Sequence, residues 1–192
     1  MDPDRRQRTT VRILDAAAGV FARGGYAGTS MDEVATAAGV SKLLLYRDFT
    51  GKKQLYQSVL ARTGQRIRDQ VPAVASAATL RAMVDVGRSD PDGFILLFRH
   101  AAREPEFAGY ATDLADWART MVAELMRPVE PDPVMRRWAA EMATSIAFEG
   151  ILTWLQYGDP TRDEEFFQRL LAVTWAVAKL TPPRIGPADA AV

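Results

Sequence analysis

Cysteine is absent from the chain, which excludes disulfides and thiolate metal sites. The single histidine, His100, is expected at a helix surface or in a local hydrogen bond rather than on a metal. No glycine-rich phosphate loop, metal-ligand spacing or nucleophile motif occurs, so an enzyme is disfavoured and neither cofactor nor metal is expected. No apolar run reaches the ~18 residues that span a bilayer. The N-terminus, Met-Asp-Pro-Asp-Arg-Arg, does not resemble a signal peptide, so a soluble cytoplasmic protein is expected. Convincing strand-like alternation and internal repeats are missing too.

Net charge is also missing, since 24 basic side chains balance 24 acidic ones. The balance conceals an asymmetry. Residues 1–55 hold nine basic side chains against six acids, and the remainder holds fifteen against eighteen. Arg5, Arg6, Arg8 and Arg12 stand in a stretch, 5–14, without an acid. A basic N-terminal quarter on an acidic body suits a small DNA-reading module carried by a larger domain. With 192 residues, 48% hydrophobic, the chain can bury a core of one or two domains and is too apolar for disorder.

Residues 29–55 organise the rest. Ser30 and Glu33 have the spacing of a capping box, with Val34, Ala35 and Ala38 following at helical intervals. Gly39 stands where a helix must leave through left-handed space. Val40 can fill the corner, and Ser41 caps a second helix from Lys42 to Phe49. That is a helix-turn-helix, whose second helix lies in the DNA major groove, although two capped helices around a glycine also make ordinary corners. A first helix over 9–23, with Val11, Leu14, Ala18 and Phe21 on one stripe, covers the back of the pair and ends at Gly24-Gly25. Residues 1–8 read as a flexible basic arm in which Arg5, Arg6 and Arg8 track phosphates or form a solvated tail. Lys52 and Lys53 open the next helix, where their charges oppose the helix dipole. A local stability reason is lacking there, and a docked phosphate would supply one; a solvated pair is the alternative.

The run Ser30–Ala35, Ala38-Gly39-Val40-Ser41, Leu45-Tyr46, Phe49, Lys52 and Leu55, preceded by Ala17–Phe21 and Gly24-Gly25-Tyr26, resembles the DNA-binding domain of the TetR/AcrR family of transcriptional regulators. The match covers about residues 10–58; beyond residue 60 only length and helical pattern agree. The resemblance implies phosphate contacts at Ser30, Ser41, Tyr46 and Lys52. It implies base- or groove-facing positions at Met31, Lys42, Leu43, Leu44 and Arg47, with Leu45 and Phe49 in the core. Leu43 and Leu44 depart from the family, where a small residue and a Thr or Ala are common. So does Asp48, where His or Tyr is common, and a carboxylate there would repel phosphate. Leu45 and Phe49 share a buried face, which rotates Leu43 and Leu44 about 200° and 100° away. Either at least one of them reads a thymine methyl, or both pack on the first helix.

The body is expected to add helices over about 76–88, 91–103, a segment from Pro105 at N1 to 128, 132–157 and 162–180. In the 132–157 helix, Trp138, Met142, Ser145, Glu149 and Leu152 form one stripe. Ala139, Ala143, Ala147 and Gly150 form another, roughly 130° away. Helices 132–157 and 162–180, apolar on two sides, need two partners each. A homodimer with a four-helix interface supplies the second, and a larger single core is the alternative. Phe94, Phe98, Tyr110, Trp117, Met121, Trp138, Met142 and Glu149 form a large mixed stripe. As single residues they suit plain core; as a group, the resemblance makes them candidates for an effector pocket. Glu149 would anchor a cationic ligand or pair with Arg99 or Arg103.

These features point to an all-α protein of about nine helices. Residues 1–52 would form the DNA-binding domain with its arm, 53–181 the effector-binding and dimerisation domain, and 182–192 a disordered tail. The expected function is a ligand-responsive regulator: a dimeric repressor on double-stranded DNA, bound to a palindromic operator and released by a small, largely apolar effector. The rivals are an effector-independent DNA-binding adaptor and an activator, acting through protein contacts.

Overall fold

Local signals decide where the helices begin and end. The structure is a computed structural model that describes residues 3–179. Among these residues there are nine α-helices and no strand. The first, α1 (Pro3–Gly28), starts well before residue 9. Proline suits a first helical position and Asp4 a first turn. The expected arm is therefore helical from Pro3 onward and carries Arg6 and Arg8 at exposed positions. The side chain of Arg5 lies outside the described residues. Gly25 takes a positive φ of 65°, so the chain turns there and residues 26–28 form a separate short turn. The core face of α1 is Ile13, Leu14, Ala17, Ala18 and Phe21; Val11, expected inside, is exposed.

Helices α2 (Met31–Ala38) and α3 (Lys42–Asp48) are held apart by Gly39, at φ 61° and ψ 40°. The Gly39 and Val40 N–H groups reach back to the Thr36 and Ala35 carbonyls at 3.1 and 3.0 Å. These bonds satisfy carbonyls that the helix end would otherwise leave open. Helix α4 (Lys52–Gln70) then packs against α1 on one side and against α5 (Ala77–Ser89), α6 (Pro91–Ile95) and α7 (Ala108–Met126) on the other. Helix α6 opens with Pro91 after the Asp90 cap, passes through a π-helical turn at Leu96–His100 and closes in a 3-10 turn at Ala101–Arg103. Pro105 does not open α7, which starts three residues later, after Phe107.

An aromatic cluster joins the N-terminal helices to the body. Phe21 and Tyr26 lie 4.9 and 5.1 Å from Tyr56, and Phe107 lies 4.6 Å from Tyr56 and 4.9 Å from Tyr26. These rings belong to α1, α4 and the turn before α7, so one buried core runs through both parts. Burial, with a lesser contribution from Glu104, pushes the Tyr56 phenol well up.

Helices α8 (Pro133–Tyr157) and α9 (Asp163–Lys179) close the body. The stripe expected to face inward on α8 mostly faces out. Trp138 is 54% exposed, Met142 39%, and Ser145 and Glu149 are exposed as well. The small stripe faces in, with Ala139, Ala143 and their neighbour Ala140 buried. Small side chains let the backbones approach. A Cβ at Gly150 would meet Leu170 Cδ1 of α9 at 2.6 Å. The tail at 182–192 lies outside the described residues.

Candidate nucleic-acid interface and body cavity

The capping box is formed in both directions. The Ser30 N–H donates to Glu33 Oε2 at 2.7 Å, and Ser30 Oγ accepts from the Glu33 N–H at 3.2 Å. The Ser30 hydroxyl also donates to Glu33 at 2.9 Å. Those bonds, first of all the one from the Ser30 N–H, hold the Glu33 carboxyl below its ordinary range. Ser30 is thus already engaged, and a phosphate would have to compete for it. At the second cap, Ser41 Oγ accepts from the Leu44 N–H at 3.2 Å, which leaves its proton for a phosphate.

Helix α3 divides cleanly. Leu45 and Phe49 are buried. Lys42, Leu43, Tyr46 and Arg47 are exposed, Leu43 at 83%. Leu44 is half-buried, so Leu43 is the leucine that faces out. Lys42 pairs with Asp32 of α2 at 2.7 Å, and that hydrogen bond pushes its pKa up. Met31 does not share this surface: it is buried in the core beneath α2. Its expected place among base-facing residues is therefore corrected. A first-turn side chain on α2 turns under the helix toward α1.

Three charged residues acquire partners that the sequence did not suggest. Lys52 Nζ donates to the carbonyls of Thr29 at 2.9 Å and Ala27 at 3.4 Å, and lies 4.6 Å from the centre of the Tyr26 ring. A local stability reason for Lys52 therefore exists, and its position needs no phosphate. Lys53 pairs with Glu106 at 2.5 Å. Asp48, whose side chain is only 5% exposed, accepts from Arg47 Nε at 3.1 Å and Nη2 at 3.3 Å, and from Arg6 Nη2 at 3.4 Å. The bonds from Arg47 lead in holding its carboxyl low, so it stays ionised at neutral pH.

The body holds an apolar cavity of about 90 Å³ between α5, α7, α8 and α9. Thr79, Met83, Met121, Thr144, Phe148 and Trp175 are among its walls. Of the eight candidates from the sequence, Met121 lines it and the others lie elsewhere. Phe94 is buried against Phe98 (4.7 Å), and Phe98 in turn packs on Phe148 (4.5 Å). Tyr110 and Trp117 are half-buried against the core. Trp138 and Met142 face outward, and Glu149 is exposed with Arg99 Nη2 at 3.2 Å. The wall residues missed on α8, Ala143, Thr144 and Ala147, sit on its small-residue face. Small side chains on a buried face leave room, and that was the available signal.

Among the described residues, no cluster of three or more histidines or carboxylates is placed to hold a metal, and no helix is long and apolar enough to cross a membrane. A family model described as bacterial regulatory proteins, tetR family, matches residues 13–59. The transcriptional activator FasR of Mycolicibacterium smegmatis is 28% identical over 175 residues, covering 85% of this chain and 80% of that one. The transcriptional repressor SCO4008 of Streptomyces coelicolor is 36% identical over 66 residues, 34% of each chain. A TetR-like transcriptional regulator from Rhodococcus sp. RHA1 shares the fold with a TM-score of 0.78, at 20% identity, over 92% of this chain and 97% of that one.

Proposed function

Since the chain belongs to the tetR family of bacterial regulatory proteins, we propose that it is a cytoplasmic, ligand-responsive repressor that binds a palindromic operator as a homodimer. The observation that carries the DNA reading is α3, which buries Leu45 and Phe49 while Lys42, Leu43, Tyr46 and Arg47 face solvent together. Ser41 and Tyr46 position the protein on phosphates, helped by Arg6 and Arg8; Ser30 and Lys52, already bonded to Glu33 and to the Thr29 and Ala27 carbonyls, add a contact only where a phosphate displaces those partners. Leu43, Lys42 and Arg47 meet base edges, and half-buried Leu44 borders that surface. Residues 1–52 act as the reading head and 53–181 as the effector and dimer body.

Dimerisation through 132–157 and 162–180 is supported by the outward apolar residues Val134, Met135, Trp138 and Met142 of α8 and Val173 of α9. A two-fold dimer matches a palindrome of two half-sites. The apolar cavity supports a small, largely apolar effector, and α4, which touches both α1 and the body helices, is the element that couples the two sites. Activation is the second reading, favoured by one observation: FasR, aligned over most of this chain, is named an activator.

Selecting fragments from random duplex DNA with the full chain tests this directly. The expected product is an inverted repeat bound at two subunits per fragment, with a subset of apolar compounds releasing it. Selection that returns no shared sequence would refute operator recognition. Transcription from a promoter carrying the selected fragment separates repression from activation.

A further inference from the structure

The Asp48 carboxylate stands out on the reading head. It sits at the last position of α3, its side chain nearly buried, between two arginines. It joins two helices, because Arg47 belongs to α3 and Arg6 to the first turns of α1. A buried carboxylate facing two guanidinium groups is stable when ionised, and it cancels one of their two charges. Both arginines still keep donors in solvent: their side chains are 60% and 44% exposed.

We propose that Asp48 is a specificity-determining positioning residue: it holds Arg6 and Arg47 in one arrangement and withholds one of their charges from the phosphate backbone. This rests on the DNA-binding reading given above. Affinity for arbitrary DNA is nearly all phosphate neutralisation, and each neutralised phosphate adds about 0.9 to the slope of log affinity against log salt. An Arg6–Asp48–Arg47 group with a net charge of one contributes less to that indiscriminate term than two free arginines would. It also fixes Arg47 in orientation, as a bidentate contact to a base edge requires. Asp48 thereby lowers the background against which an operator must be recognised, and it does so without touching DNA itself.

The test measures binding of the full chain to a non-operator duplex across a salt series, for wild type, Asp48→Asn, Arg6→Gln and the double variant. With Asp48→Asn the slope is expected to steepen by about 0.9 for each DNA-bound subunit, an eightfold larger change in affinity per tenfold change in salt. Arg6→Gln should make it shallower by a similar amount, and the double variant should return it close to wild type. The preference for a selected fragment over the non-operator duplex should fall in Asp48→Asn. A purely structural role for Asp48 would leave the slopes alone, and unchanged slopes in folded variants overturn the proposal. If Asp48→Asn does not fold, Asp48→Tyr, a neutral side chain common at this position of the family, removes the same charge; it should steepen the slope equally, and an unchanged slope overturns the proposal. Wild-type protein that shows no salt-dependent DNA binding would remove the DNA-binding reading itself, an outcome distinct from normal binding with equal slopes.

Discussion

Replacing Leu43 with alanine separates reading from folding. Leu43 is 83% exposed at the first turns of α3, so its side chain contributes little to the core. Leucine and alanine are both good helix formers, and the change should leave thermal stability within about 0.5 kcal/mol of wild type. Binding should respond differently. Complete burial of a leucine side chain stabilises by about 1.5–3 kcal/mol, and partial burial against thymine in the groove corresponds to about 1 kcal/mol for each half-site. Two half-sites give about 2 kcal/mol, or roughly 30-fold in the dissociation constant. The contact can be removed from the DNA side as well. Deoxyuridine in place of thymidine deletes only the C5-methyl group, worth about 0.8 kcal/mol, or about fourfold. Fluorescence anisotropy with a selected operator and its deoxyuridine variants completes a double-mutant cycle. At the contacted position wild type should lose about fourfold and Leu43→Ala nothing. If every methyl can be deleted from the half-site without effect on wild type, apolar readout by Leu43 is wrong.

Three further outcomes follow from contacts described above. Ser30→Ala removes the acceptor for the Glu33 N–H and should cost about 1 kcal/mol, lowering the melting temperature by about 2–4 °C in calorimetry. Thr144→Val should raise it by a similar amount, because the Thr144 hydroxyl is buried without a hydrogen-bond partner on a residue 4% exposed. A drop in stability would mean that the hydroxyl has a partner in solution. Asp163 is pushed up by burial, but the bonds from Arg88 (2.7 and 2.8 Å) and Trp154 Nε1 (2.5 Å) outweigh this and hold its carboxyl below the ordinary range. Its stabilising contribution is therefore complete above about pH 4 and fades as pH falls through the lowered folded value. Chemical denaturation across this range should find the gap between wild type and Asp163→Asn wide at pH 7 and narrowing toward pH 2.

The reading head was largely legible in the sequence because its determinants are local. Ser30 and Glu33, or Ser41 and the Leu44 N–H, are three residues apart, and Gly39 answers a requirement of its own backbone. What could not be read are contacts across the chain. Lys52 meets Thr29 in the link between α1 and α2, which its own helix does not reveal, and Asp48 meets Arg6 from the opposite end of the module. Helix α8 shows a different limit. Periodicity separates the Trp138 stripe from the Ala143 stripe but does not say which one faces inward. Size misleads here, since the larger side chains are expected inside. Close approach of the neighbouring helices, as at Gly150 and Leu170, favours the smaller ones and leaves Trp138 and Met142 outside. The misplaced pocket residues of α8, Trp138, Met142 and Glu149, follow from that inversion.

The rings of Phe21, Tyr26, Tyr56 and Phe107 bear on how the molecule comes apart. A chain cut after residue 58 would leave Tyr56 and Tyr26 without Phe107 against them and Lys53 without Glu106. The N-terminal helices are therefore not a detachable module, and head and body should melt as one cooperative unit rather than in two steps. Anything that stabilises the body then also secures the surface that meets DNA, and a loss of packing at this junction would be felt at both ends of the molecule.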